Sequence, residues 1–499
     1  MKRLKVKDMN ISTGGILVAI LNEEDASQLD LHSLDRIKVR KGKKEATIVL
    51  DIAESGKAVR RGYIGLFEEI IDAIDAENND VVEIIPAGKP ISLEYIKKKL
   101  DGRKLTQKEI NQIVWDIVHN KLQESEMTYF VAAGYANKLD MEETVWLTKA
   151  MRDTGDILKF KNRVVVDKHC VGGLAGNRTT MIIVPIVAAA GLTIPKTSSR
   201  SITSPSGTAD TVEVFTNVSL DIKQMKKVVK KTNGCLVWGG SLNLSPADDK
   251  IINVERPLSI DAESQLLASV MSKKASVSTK YLLIDIPVGV GSKITHKDKA
   301  AKLKRDFEEV SKKLGIKTKV IITDGKQPIG NGIGPGLEAR DVLYVLKRDK
   351  KRPLDLEKKS LMMAGIMLEM GGKAKKGQGF RKAQNILESG KAYKKFIEII
   401  KAQGGKEILP NQIKIGNQKF DLKSHKDGKL HIINNRAICK IARVAGAPND
   451  KGAGIYLHKH VGDYVKKGET LLTIYAHNKI KLDFAKKALI KLDGMVIKQ

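Results

Sequence analysis

Toward the N-terminus, short apolar runs at residues 4–6, 15–21, 36–39, 46–52 and 80–85 are separated by turn-forming residues, the pattern of brief strands. Among them, EEDASQLDLHSLDRIKV reads as a helix followed by a turn back into a strand. The cluster Pro86-Ala87-Gly88-Lys89-Pro90 interrupts any regular element, so residues 1–88 are expected to form a small β-rich domain. From 91 to 155 the periodicity becomes helical. Thr106 and Glu109 make a T-x-x-E capping box, after which Ile110, Ile113, Val114, Ile117 and Val118 recur on one helical face. Two further helices at 127–137 and 141–153 give a helical subdomain over residues 89–155. Residues 156–390 alternate strand-like runs (281–286, 318–323) with helical ones (297–314, 336–348), which predicts an α/β domain on a large mixed sheet. The remainder, 391–499, returns to short strands between 452 and 473, with Val-Gly-Asp and Lys-Lys-Gly turns, and reads as an α+β module.

The densest candidate chemistry lies between Val164 and Phe215. Residues 164–166 read as a buried strand, and Gly172, Gly173 and Gly176 then permit a tight turn that aims backbone N–H groups into a cavity. An apolar helix from about Thr179 to Ala190 follows, so a phosphate at the turn would also meet a helix N-terminus. After the helix, the hydroxyl-rich run from Lys196 to Thr208 carries the fixed cation of Arg200 in its middle. Ser, Thr and Gly gather in ordinary turns as well. Two such loops with Lys168, His169 and Arg200 between them are what a site for two anionic groups needs. Arg200 with Ser201, Thr203 and Ser204 offers enough donors for a phosphate-monoester dianion. The GGLAG spacing departs from the dinucleotide fingerprint G-x-G-x-x-G and lacks the GK[ST] ending of a P-loop, which removes both assignments.

At 499 residues and 42% hydrophobic, the chain has material for a large core divided among roughly three domains. No apolar run approaches the ~20 uncharged residues of a membrane span, and MKRLKVKDMN lacks the apolar segment of a signal peptide; a cytoplasmic, membrane-free location is expected. Cys170, Cys235 and Cys439 are widely separated and lack CxxC or Cys/His pairing, so neither a disulfide framework nor a metal site is indicated. The net charge of +30 first suggests nucleic acid. Its distribution does not: the lysines are scattered over 97–99, 226–231, 297–304 and 373–376, aromatic residues are 4%, and no RNP, KH or zinc-finger motif is present. No specific nucleic-acid partner is expected, and the charge reads as solvated faces that also steer anions.

DKHCVGGLAGN followed by SSRSITSPSGTADTVEV resembles the thymidine/pyrimidine nucleoside phosphorylase family, whose members carry DKHSTGG and SGRGLGHTGGT-x-D-x-x-E in these places. It is still more similar to the archaeal AMP phosphorylase branch, with DKHC-x-GG-x-x-GNRTT and SSRAITS. The resemblance runs through YFVAAGYANKLDMEETVWLTKAM (129–151), ERPLSIDAESQLLASVMSKK (255–274), PIGNGIGPGLEARDVL (328–343) and IYLHKHVGDYVKKGE. It implies a nucleoside phosphorylase/phosphoribosyltransferase-like α/β fold in which residues from about 256 to 275 complete the helical subdomain, with hinges near 156–165 and 250–285. It also implies an assembly role for the N-terminal domain, a homodimer and a larger homo-oligomer. The last region resembles a barrel-sandwich module of the biotinyl/lipoyl type, without the Met-Lys-Met carrier signature.

The implied activity is phosphorolysis of a nucleotide, with AMP and inorganic phosphate as substrates and no cofactor. The family's phosphate ligands match Lys168, Gly172, Gly173, Ser198 and Thr208, although Lys168 read alone also suits a surface ion pair. Nucleotide-binding positions match Gly173, Ser199, Arg200, Ser201, Ile202, Thr203, Ser204, Thr208, Ser269, Lys273 and Lys293. Asp261, in LSIDAE, matches the branch's aspartate that reaches the purine and is the candidate general acid, provided burial raises its pKa. Aspartate there also suits the N-cap of a helix beginning near Ala262. Cys170 stands where the pyrimidine enzymes have serine and reads as a loop donor, not a nucleophile. Ser204-Pro205-Ser206-Gly207-Thr208 replaces their His-Thr-Gly-Gly-Thr, which weakens a thymidine assignment. An anthranilate-type phosphoribosyltransferase shares the architecture but needs acidic ligands for magnesium pyrophosphate that the glycine loop lacks.

Overall fold

Val6, Val39, Leu50, Ile64 and Ile84 are fully buried, and they fill the interior of a closed six-stranded barrel. Its strands are β1 (Lys2–Asp8), β2 (Val18–Asn22), β3 (Arg36–Lys41), β4 (Lys44–Ala53), β5 (Tyr63–Leu66) and β6 (Val81–Ala87), in the order β1-β5-β2-β4-β3-β6. Closure leaves no unpaired sheet edge. The computed structural model describes residues 1–14, 17–201, 204–258, 262–492 and 494–498. Strand β5 and the helix Glu68–Ile74 occupy a stretch in which the sequence pattern suggested no element.

The barrel belongs to a compact unit made of Met1–Thr154 and Pro246–Leu266. Beyond residue 90 its helices include Ser92–Leu100, Gln107–Val118, Glu124–Ala136, Met141–Asp153 and Pro246–Leu258. The Thr106–Glu109 capping box forms, with the Thr106 N–H donating to Glu109 at 2.6 Å and the Glu109 N–H to the Thr106 hydroxyl at 3.4 Å. An ion pair between Arg36 and Glu126 ties barrel to helices. The segment that completes the helical part begins earlier than the expected 256–275. Ala247, Ile251 and Val254 recur at i, i+4 and i+7 and bury one face of Pro246–Leu258, whereas Glu263–Ser276 is a separate helix that enters the other unit at Leu267.

The second unit comprises Gly155–Ser245 and Leu267–Gln499. Strands β7 (Val166–Cys170), β8 (Ile194–Ser198), β9 (Gly234–Trp238), β10 (Tyr281–Val288) and β11 (Lys317–Asp324) form β11-β10-β7 and β8-β9, joined by a parallel bridge between Val165 and Thr193. Every described pairing among these five strands is parallel. The antiparallel component expected of a mixed sheet comes instead from β12 (Gly332–Ile333), which pairs with a strand of the C-terminal region. That region holds β13 (Gln418–Lys423), β14 (Gly428–Ile433), β15 (Gly454–Leu457), β16 (Tyr464–Val465), β17 (Thr470–Ala476) and β18 (Met495–Lys498), arranged as the sheets β12-β15-β17-β13 and β16-β14-β18.

Helix Thr179–Ala189 lies in the centre of this unit's core, buried at every position from Thr179 to Ala188. Each buried Ile or Val there contributes roughly 1.5–3 kcal/mol relative to exposure, which makes the helix a rigid support for what precedes it. Because the five strands run parallel, their C-terminal ends at Cys170, Ser198, Trp238, Val288 and Asp324 open on one edge, where ligands of α/β sheets bind. Among the described residues no helix is long and apolar enough to cross a membrane.

One buried contact tests the helical part directly. Both carboxylate oxygens of Glu143 accept from Lys99 Nζ at 2.9 Å, and the two side chains are 1% and 3% exposed. Lys99→Met strands the Glu143 charge, and a loss of about 3–5 kcal/mol is expected in urea unfolding; a loss below about 1 kcal/mol would contradict the buried pairing.

Candidate active site

The sequence Asp167-Lys168-His169-Cys170 forms most of β7, so the strand lies further along the chain than the expected 164–166. Alternation along a strand sends Asp167 and His169 to one face and Lys168 and Cys170 to the other. Lys168 is 2% exposed, which removes the surface ion-pair reading. Its Nζ donates to Thr179 Oγ1 at 3.0 Å and Thr180 Oγ1 at 3.4 Å, both at the start of the buried helix. Thr179 in turn donates to Asn177 Oδ1 at 3.1 Å, and Asn177 Nδ2 donates to Cys170 Sγ at 3.2 Å. Burial pushes the Cys170 thiol above its ordinary range, in keeping with an uncharged group and not a nucleophile.

Across the strand, the fully buried Asp167 faces two lysines, Lys274 Nζ at 2.7 Å and Lys196 Nζ at 3.6 Å, and accepts the Lys168 N–H at 2.7 Å. Asp285 of β10 faces Lys359 at 3.0 Å and accepts Thr323 Oγ1 at 2.5 Å. Around β7, four lysines (168, 196, 274 and 359) therefore stand against two aspartates among the described residues. An uncompensated buried charge costs several kcal/mol, so this arrangement favours an anion. The titration shifts agree. Burial lowers the Lys168 pKa, and it draws Lys196 down to about 7, with Lys274 and Lys168 adding to the effect against the pull of Asp167. Burial, then Lys274, Lys196, Lys168 and Lys293, holds His169 well below the usual imidazole range and so neutral.

The turn after β7 has Gly172, Gly173 and Gly176 at φ 101°, 84° and 70°, conformations that favour glycine. A Cβ on Gly173 would lie 2.1 Å from the Lys293 backbone nitrogen, so this loop packs directly against residues 292–293. The second loop is drawn together by Asp210, which accepts the N–H groups of Ser201 at 2.7 Å and Gly207 at 2.8 Å. Ser198, at the end of β8, donates to Val237 O at 3.2 Å, and Ser204 Oγ to Ser206 O at 3.0 Å. Thr208 Oγ1 accepts from Arg178 Nη1 at 3.1 Å.

Arg200 has acidic partners on the short helix that follows its loop and at that helix's C-cap. Its guanidinium is engaged through Nη1 and Nη2 by Glu213 at 2.6 Å and Asp210 at 3.3 Å, so a phosphate there would compete with two carboxylates. Ser269 and Lys273 share the helix Glu263–Ser276 with Lys274, and Lys293 is exposed beside the glycine loop. Ile202, Thr203 and Asp261 lie outside the described residues. The sequence pattern did not single out Asp167, Lys196, Lys274, Arg178, Asp210 or Glu338, whose roles come from partners distant along the chain. Among the described residues no group of three His, Cys, Asp or Glu side chains is placed to hold a metal ion.

An AMP phosphorylase from Pyrococcus furiosus is 48% identical to this chain over 99% of both, and one from Methanocaldococcus jannaschii is 46% identical over 99% of both. The chain belongs to the AMP phosphorylase family. Within it, residues 93–155 match the helical bundle domain of a glycosyl transferase family, 162–393 the a/b domain of that family, and 429–492 the pyrimidine nucleoside phosphorylase C-terminal domain. The phosphorylase chain also shares its fold with anthranilate phosphoribosyltransferase from Thermus thermophilus, at a TM-score of 0.53 and 16% identity over 62% of this chain and 99% of that one.

The depressed Lys196 gives a pH test. Above its pKa of about 7 the ammonium loses its proton, and a dianion bound beside it favours the proton's return. Phosphate binding at pH 8 is expected to take up as much as about one proton, measured by calorimetry in buffers of different ionisation enthalpy, and Lys196→Met should remove the uptake. Heats independent of the buffer would show that the anion does not lie against Lys196.

Proposed function

We propose that this protein cleaves nucleoside 5′-monophosphates, AMP foremost and CMP and UMP as further candidates, with inorganic phosphate, yielding ribose 1,5-bisphosphate and free base. It is a pentosyltransferase of nucleotide degradation and salvage. The observation that carries the reading is the surplus of buried lysines on and around β7 and β8, near two loops rich in N–H and hydroxyl groups.

The chemistry requires no covalent enzyme intermediate. A phosphate oxygen attacks C1′ as the C1′–N bond breaks, the bonding pair leaves with the base, and an acid protonates that nitrogen. Lys168, Gly172, Gly173, Ser198 and Thr208 are assigned to the attacking phosphate. Gly173, Ser199–Ser204, Thr208 and Lys293 are assigned to the nucleotide, with Arg200 exchanging Glu213 for the 5′-phosphate, and Ser269 and Lys273 to the base. Asp261 is assigned as the general acid. His169, held neutral, can offer a hydrogen bond but no charge. Phosphate is a co-substrate, and no organic cofactor or metal enters the scheme.

In the same reading, residues 1–88 serve assembly, 89–155 with the later helix form the helical subdomain, 156–390 bind phosphate and 391–499 form a barrel-sandwich module. The protein works in the cytoplasm as a homodimer or larger homo-oligomer.

Base release from AMP, CMP, UMP, adenosine and thymidine, with and without phosphate, tests the assignment. kcat/KM for AMP should exceed that for adenosine by about 100-fold or more, since donors left without their anion cost several kcal/mol and each ~1.4 kcal/mol is tenfold. Thymidine used as well as any monophosphate would replace this reading with a pyrimidine nucleoside phosphorylase. Asp261→Asn should retain AMP binding and lose about 100-fold or more in turnover; near-normal turnover would leave Asp261 as a helix cap.

A further inference from the structure

A single guanidinium joins three segments of the second unit. Arg178 immediately precedes the buried helix Thr179–Ala189, and its side chain makes no capping bond there. It crosses instead to the second loop, where Nη2 donates to Ser206 O at 2.7 Å and Nη1 to Thr208 Oγ1 at 3.1 Å. Its Nε pairs with Glu338, in the first turn of the helix Pro335–Leu346. Glu338 is fully buried, and it also accepts Thr211 Oγ1 at 2.9 Å and the Gly334 N–H at 3.2 Å. Thr211 Oγ1 lies 2.8 Å from Ser206 Oγ, which closes the circuit.

On the phosphorolysis reading above, we infer that Arg178 is a positioning residue that fixes the distance between the two halves of the phosphate cradle. The covalent neighbour of Arg178 is Thr179, whose hydroxyl receives Lys168 Nζ, while the Arg178 fork holds the hydroxyl of Thr208. One residue thus spans the two phosphate ligands assigned to opposite loops. A buried ion pair adds little stability over well-packed apolar groups, but a planar guanidinium with donors in a fixed fork specifies direction. A lysine ammonium reaches Glu338 without holding Thr208 and Ser206 in one plane. The nucleotide side of the second loop is held separately, because Asp210 gathers the N–H groups of Ser201 and Gly207. Loosening Arg178 therefore acts on phosphate more than on AMP.

The test is Arg178→Lys in the full-length protein, with phosphate varied at saturating AMP, AMP varied at saturating phosphate, and phosphate binding measured by calorimetry. The expected result is a phosphate KM and Kd raised about 10-fold or more and kcat lowered about 10-fold or more, with the AMP KM changed less than about 3-fold. A folded variant with unchanged phosphate constants, or one in which both KM values rise alike, overturns the inference. Should Arg178→Lys fail to fold, Thr211→Val keeps the side-chain shape and removes the bonds to Glu338 and Ser206. It should raise the phosphate KM by about 3–10-fold, and no change overturns the inference equally. If the wild-type protein releases no base from AMP, the proposed function fails by itself. Phosphate Kd values of wild type and variants still decide the role of Arg178, and equal values overturn it.

Discussion

One carboxylate set against two ammonium groups away from water governs the arrangement of this site. Asp167 brings together β7, the end of β8 through Lys196 and the helix Glu263–Ser276 through Lys274. With Lys168 next along the strand, the region carries more positive charge than its own acids neutralise. Burial, with Lys274 and Lys168 adding to it, draws the Lys196 pKa down to about 7 against the pull of Asp167, so part of that surplus can leave as a proton. A depressed lysine and a neutral histidine suit the phosphate role proposed for this region.

The loops above this charge are held by close backbone approach and by side chains other than the prospective ligands. A Cβ on Gly207 would lie 2.6 Å from Ser199 O, and one on Gly176 would lie 2.3 Å from Ile329 O, so neither turn has room to spread. Asp210 consumes N–H groups of the second loop that would otherwise seem available to a ligand. Among the described residues, side-chain hydroxyls, Lys168 and the outward face of the glycine turn keep donors that the loops' own contacts do not consume. Arg178 and Glu338 then set one loop against the other through a contact between residues far apart in the chain.

Features carried by local pattern were legible in the sequence. The glycine turn, the apolar helix behind it, the Thr106–Glu109 cap and strands β10 and β11 all follow from spacing within one element. Features carried by long-range pairing were not. Lys274 and Arg178 look like ordinary surface cations until Asp167 and Glu338 are placed beside them. The partners of Arg200 were hidden in the same way: Glu213, thirteen residues further along, takes Nη1 and Nη2, a contact that the motif alone conceals. Strand β5 is only four residues long, and Pro246–Leu258 hides its apolar stripe among Asp248, Asp249 and Lys250, so neither announced itself as an element of the core.

On the proposed function, phosphate is bound by the surplus charge on and around β7 and β8. A crystal structure of the protein grown with phosphate measures this directly. The account predicts an anion within about 3 Å of Lys168 Nζ and Thr208 Oγ1, between the glycine turn and the hydroxyl-rich loop. An anion ordered elsewhere at saturating phosphate, with that space empty, would contradict it.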